Sequence, residues 1–149
     1  MHFIGVDVGL TGGIAMIDET GSIVFALKMP ATDADLLAVF PPAEFECRAV
    51  LEKVRSSPQM GVVSAFTFGR SYGACRMALT AAGIPFDEVA PHVWQRKLEC
   101  LSGGDKNITK ARAQQLFPGV PVTHVTADAL LLAEYCRRTQ ILDPAGVGL

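Results

Sequence analysis

The chain has 149 residues, half of them hydrophobic, enough apolar material for one buried core and too little length for two, so 1–149 reads as a single domain. No apolar run reaches the length of a bilayer span, and the start shows no basic segment with a cleavage site, so no membrane partner or secretion is expected and the location is expected to be cytoplasmic. The formal net charge of −2 is unevenly spread: residues 1–47 carry −6, residues 48–112 carry +5 and residues 113–149 carry −1, which leaves the middle section as the place for any phosphate-contacting face.

The first stretch, Phe3 to Asp18, reads as two apolar strands around a glycine-rich turn. Asp7 stands where a core strand would ordinarily carry another aliphatic residue, and a carboxylate between Val6 and Val8 needs a cation, a metal or hydrogen-bond donors. Alternation puts Phe3, Gly5 and Asp7 on one face and Ile4, Val6 and Val8 on the other. Gly5 is expected to leave the approach to Asp7 open, and Gly9, Gly12 and Gly13 to let a phosphate backbone come close to the main chain. Alone, this hairpin fits a nucleotide-binding turn of the actin and sugar-kinase type, the first strands of a ribonuclease-H-like nuclease, or a structural aspartate capping the turn.

Ile23–Leu27 reads as a third antiparallel strand, closed by Met29-Pro30, and 33–40 as a short amphipathic helix stopped by Pro41-Pro42. Arg48–Val54 is a buried-looking strand with a second anomalous acid, Glu52, near its end; the bland alternative pairs it with Lys53 or Arg55 at the surface. A loop over 56–61 leads to a helix over 64–82 with Gly83 as its cap. Its early residues interleave Phe66, Phe68, Arg70, Tyr72 and Arg76, side chains that stack on unpaired bases and hold phosphates as readily as they fill a core.

A fifth strand is expected over 84–90, then a short helix opened by Pro91 and carrying Trp94 and Lys97. The loop 100–105 precedes a basic helix with Lys106, Lys110 and Arg112, ending near Phe117-Pro118. An apolar helix over 127–138 carries Asp128 in its first turn, an ordinary place for an acid beside the helix dipole. The four cysteines, Cys47, Cys75, Cys100 and Cys136, are scattered without a Cys-x-x-Cys pair, which argues for free buried thiols over zinc or disulfides.

In order along the chain stand Gly5-x-Asp7-x-Gly9-Leu10-Thr11-Gly12-Gly13, Leu51-Glu52-Lys53-Val54, Phe68-Gly69-Arg70-Ser71-Tyr72-Gly73, Pro91-x-x-Trp94-x-Arg96-Lys97, Asp105-Lys106-x-x-x-Lys110-x-Arg112-Ala113, and Ala127-Asp128-Ala129-Leu130-Leu131-Leu132-Ala133-Glu134-Tyr135. This ordered set resembles the RuvC-like Holliday junction resolvases, in particular their compact bacterial, phage and chloroplast branch, and covers nearly the whole chain. The resemblance implies an α/β, ribonuclease-H-like fold with a five-stranded mixed sheet flanked by helices, acting as a homodimer on four-way DNA junctions. It implies a divalent-metal-dependent endonuclease that nicks paired strands and leaves a 5′ phosphate and a 3′ hydroxyl.

Carried over residue by residue, the resemblance makes Asp7, Glu52 and Asp128 the catalytic and metal-binding acids, suited to two Mg²⁺ ions with Mn²⁺ as a substitute. The family's fourth ligand lies a few residues before the last acid. No acid precedes Asp128 here, so His124 takes that place, one helical turn away and on the same face if the helix has already begun. Imidazole suits manganese better than magnesium, and a loop histidine bonded to a helix end is the alternative. Phe68, Arg70, Tyr72, Arg76, Lys97, Lys106, Lys110 and Arg112 are the implied DNA contacts, chiefly to phosphates, with Phe66 or Phe68 a wedge near the crossover. The rival reading is a catalytically weak branched-DNA-binding protein; a kinase-like phosphotransferase needs a second lobe that 149 residues cannot supply.

Overall fold

A computed structural model describes residues 1–142; the remainder of the expected domain, 143–149, lies outside the described residues. Its strands are β1 (His2–Asp7), β2 (Gly13–Asp18), β3 (Ile23–Lys28), β4 (Cys47–Glu52) and β5 (Phe86–Val89), and its helices α1 (Asp33–Val39), α2 (Val62–Ala81), α3 (Pro91–Lys97), α4 (Lys106–Leu116) and α5 (His124–Leu142). The strands form one sheet in the order β3-β2-β1-β4-β5, with the first three antiparallel and β4 and β5 parallel to β1. The expected mixed five-stranded sheet is therefore present.

Alternation along β1 divides the core. Ile4, Val6 and Val8 face α1 and α2 and pack with Leu36, Cys75 and Leu79, while Phe3 faces the other way, onto Trp94 and the Leu130–Leu132 run of α5. Burying apolar side chains on both faces of a half-parallel sheet removes them from water and needs helices on each side, which is what the α/β connections supply.

Local chemistry sets the boundaries. The Thr32 hydroxyl caps α1 by accepting from Asp35 N, Asp105 does the same for α4 through Asn107 N, and Pro91 fills the first turn of α3. β5 is shorter than expected because Pro85 has no amide hydrogen to give the ladder. α5 begins at His124, earlier than the expected 127: the Thr123 carbonyl accepts from Ala127 N at 3.0 Å and its hydroxyl from Thr126 N at 3.3 Å. That early start matters, because it puts His124 and Asp128 on successive turns of one helix. All four cysteines are buried and free, as expected.

Candidate active site

The register of two parallel strands brings the first two acids together. Val6 lies opposite Leu51, so Asp7 and Glu52, the next residues, emerge at the same end of neighbouring strands. Gly5 lies opposite Val50, and the period of two puts Asp7 and Glu52 on the same side as that pair, under α5.

Gly5 corrects an expectation. It does not open an approach to Asp7; it receives α5, and a β-carbon there would overlap the Ala129 carbonyl oxygen and the Ala133 amide nitrogen. Only glycine lets a helix backbone lie this close to a strand. The contact sits one residue after Asp128 and so sets that acid's position above β1. The turn glycines are also used internally: a β-carbon on Gly12 would strike the Asp7 carbonyl, and one on Gly13 would crowd the Leu27 and Val125 carbonyls. Gly9 and Gly12 do line a cavity of about 610 Å³ with Asp7, Glu52, Phe68 and Lys106.

The acids act on one another. Asp7 is 7% exposed, and no hydrogen bond to its carboxylate is present among the described residues. Burial first, then the Glu52 and Asp128 carboxylates, push its pKa from 3.8 up to about 8, with Lys106 opposing them. Burial raises Glu52 as well, against a 2.7 Å hydrogen bond that Trp94 Nε1 donates to its Oε2. Asp128 Oδ2 lies 3.6 Å from Lys106 Nζ, while its Oδ1 is buried without a hydrogen-bond partner. No ion pair joins Glu52 to Lys53 or Arg55 among the described residues, so its bland explanation has no support.

This donor set fits divalent cations in its chemistry: hard oxygen ligands from separate segments, mutually repelling, one oxygen orphaned, and an ammonium standing among them. The ligand geometry is not assembled, since no group of three or more His, Cys, Asp or Glu side chains among the described residues is close enough to hold one ion. His124 stands one turn before Asp128 but is exposed, and it makes no hydrogen bond among the described residues.

The expected DNA contacts divide. Phe68 walls the cavity and packs on Gly9. Arg70 and Lys97 are exposed, Lys110 is half-buried, and none has an ion-pair partner among the described residues. Lys106 is at the acids themselves. Arg112 is better explained as a structural tie, its guanidinium donating to the Leu98 carbonyl at 2.8 Å and reaching Gln115 and Glu99, which joins α4 to the end of α3. Arg76 pairs with Glu88 at 3.0 Å and lies 5.9 Å over the Tyr72 ring. Tyr72 is half-buried and turned to the same glutamate, its hydroxyl pushed up to about 12 by burial and that charge. The site residue that the motifs marked only as a landmark is Trp94: an indole buried beside a strand ending in glutamate was its one signal.

No protein-family model matches the sequence, and no curated protein does. Solved structures do resemble it. RuvC of Thermus thermophilus in complex with a Holliday junction substrate aligns over 96% of each chain at 18% identity with a TM-score of 0.74. Another Thermus thermophilus RuvC structure covers 95% of this chain and 96% of its own, again at 18% identity, with a TM-score of 0.68. The chain thus has the RuvC fold of the ribonuclease-H-like class, a five-stranded mixed sheet with flanking helices.

Proposed function

We propose that the protein is a divalent-metal-dependent DNA endonuclease that nicks paired strands of four-way junctions, leaving a 5′ phosphate and a 3′ hydroxyl. The observation that carries this is the charge coupling of Asp7, a buried acid, to half-buried Glu52 and buried Asp128, with Asp7 and Glu52 lining a cavity at one end of the sheet. Junction DNA as the substrate is supported by the fold's likeness to a RuvC structure that holds one.

Asp7, Glu52 and Asp128 would hold the ions, with His124 the further ligand. Bound there, such ions supply an activated water and charge neutralisation at the leaving oxygen. Trp94 fixes one oxygen of Glu52 and leaves the other free to turn toward the cavity. Lys106 provides a positive charge where a phosphodiester would otherwise meet only carboxylates. Arg70, Lys97 and Lys110 position the backbone, each as a point of sequence-independent affinity.

A homodimer is supported by α2. Val62, Phe66, Gly69, Gly73 and Met77 recur at helical spacing on the side turned from the core; Val62 is 87% and Phe66 73% exposed, and a β-carbon on either glycine would meet nothing within 4 Å. Such a face admits the same helix of a second copy at close range, and two sites in one particle would cut two strands without rebinding.

The test is a labelled four-way junction incubated with Mg²⁺ or Mn²⁺. Paired nicks with 5′ phosphate ends are expected. Binding without cleavage in either metal defeats the nuclease reading and favours the second one, a branched-DNA-binding protein, which the exposed His124 and the unassembled ligand geometry speak for.

A further inference from the structure

Beside the first cavity lies a second, of about 420 Å³, lined by Glu52, Lys53, Arg55, Phe68, Pro91 and His92 among others. Glu52 and Phe68 are the residues common to both. The chain is pinned at this point: Lys53 N donates to the Val89 carbonyl at 2.7 Å, tying the ends of β4 and β5 together before residues 53–55 leave the sheet. Lys53 and Arg55 are exposed, and neither has an ion-pair partner among the described residues. Glu52 directs its Oε2 to Trp94 instead of to either of them.

We infer that this second cavity seats the nucleotide flanking the cut phosphate, its own phosphate held by Lys53 and Arg55 and its sugar and base set against Phe68, Val54 and Pro91. The inference rests on the nuclease reading above and extends it to the path of the strand. A phosphate placed at the acids has a neighbour on each side, and each neighbour is a further negative charge beside the cleft that Glu52 shares between the two cavities. Cations on both sides of the acids offset that charge and hold the strand in line. Lys106 does so in the first cavity. In the second the matching charges are Lys53 and Arg55, two residues apart, with a guanidinium able to bind phosphate oxygens in pairs. The apolar wall suits the flat face of a base, and Phe68, between the cavities, divides one nucleotide from the next.

The test uses a four-way junction carrying one uncharged methylphosphonate at a time on either side of the cut phosphate, bound in chelator and cleaved in Mn²⁺. Lys53→Gln/Arg55→Gln is expected to bind about tenfold more weakly at moderate salt and to lose nearly two from the slope of log affinity against log salt, as expected for two lost phosphate contacts. One flanking methylphosphonate should weaken the wild type severalfold and leave the double variant unchanged, and Lys53→Arg/Arg55→Lys should restore the sensitivity. Wild-type affinity and salt slope in the Gln variant, or equal losses in both proteins at every modified position, overturns the subsite alone. If the wild type does not retain the junction at all, the nuclease reading falls and the subsite with it.

Discussion

Replacing Asp7 with asparagine should make the metal-free protein more stable at alkaline pH while removing the cleavage activity proposed above. The Asp7 carboxyl is pushed up to about 8 by burial and by Glu52 and Asp128, against an ordinary 3.8 in the unfolded chain. Between those values the folded state holds a proton that the unfolded state has released. Stability from this group is therefore complete below about pH 4 and is lost as the pH rises through about 8. At about 1.4 kcal/mol per pH step the loss is capped near ~5 kcal/mol by pH 8. Asparagine keeps the shape, carries no charge, and can donate to the neighbouring carboxylates. If relaxation of the cleft leaves about 2 kcal/mol of that cap, Asp7→Asn should melt at least ~5 °C above wild type at pH 8 in chelator, with a severalfold smaller difference at about pH 3.5, below the unfolded value of 3.8. Ions at a hundred times their dissociation constant stabilise the wild type by about 2.7 kcal/mol, and the variant should gain much less. The assay is thermal melting at the two pH values with and without Mn²⁺. An Asp7→Asn protein that melts at or below wild type at pH 8 in chelator would refute the claim that these acids repel one another in the folded state.

Gly5→Ala forces a methyl into the α5 backbone at Ala129 and Ala133, and should cost ~3 kcal/mol or more in urea titrations; a loss under 1 kcal/mol would mean that the helix can lift freely. Trp94→Phe keeps the packing but deletes the 2.7 Å hydrogen bond to Glu52, which raises that carboxyl further, so the acid limb of the cleavage profile should move to higher pH. An unmoved limb separates Glu52 from the rate. His124→Asp, one turn before Asp128, should raise Mg²⁺-supported cleavage relative to Mn²⁺-supported cleavage; an unchanged metal profile removes His124 from the ligand set.

The anomalies legible from local pattern were acids in apolar runs. Asp7 and Glu52 stood out because their strand neighbours are aliphatic, and a strand's period of two says which residues share a face. Asp128 had no such mark, since an acid in a first turn is ordinary, and only the ordered motifs drew it in. The role of Gly5 is hidden in the sequence because its partner is more than 120 residues away, and nothing beside Gly5 tells an opening from a close contact. The cations show the same limit. Arg76 and Arg112 look like Arg70 in sequence, yet Glu88 claims one and the Leu98 carbonyl the other, while Lys106 was expected to hold a phosphate and stands at Asp128. Ion-pair partners across a fold leave no periodicity to read.

The way α5 is mounted makes it a lever. Gly5 is the fulcrum, with Asp128 and His124 on the short arm. On the far arm, Arg137 grips Glu134 and the Glu19 carbonyl, about 14 Å along the axis from Asp128. Backbone bearing on backbone leaves no side chain at Gly5 to absorb a tilt, so the place of the Asp128 carboxylate above β1 is set by the orientation of the helix axis itself.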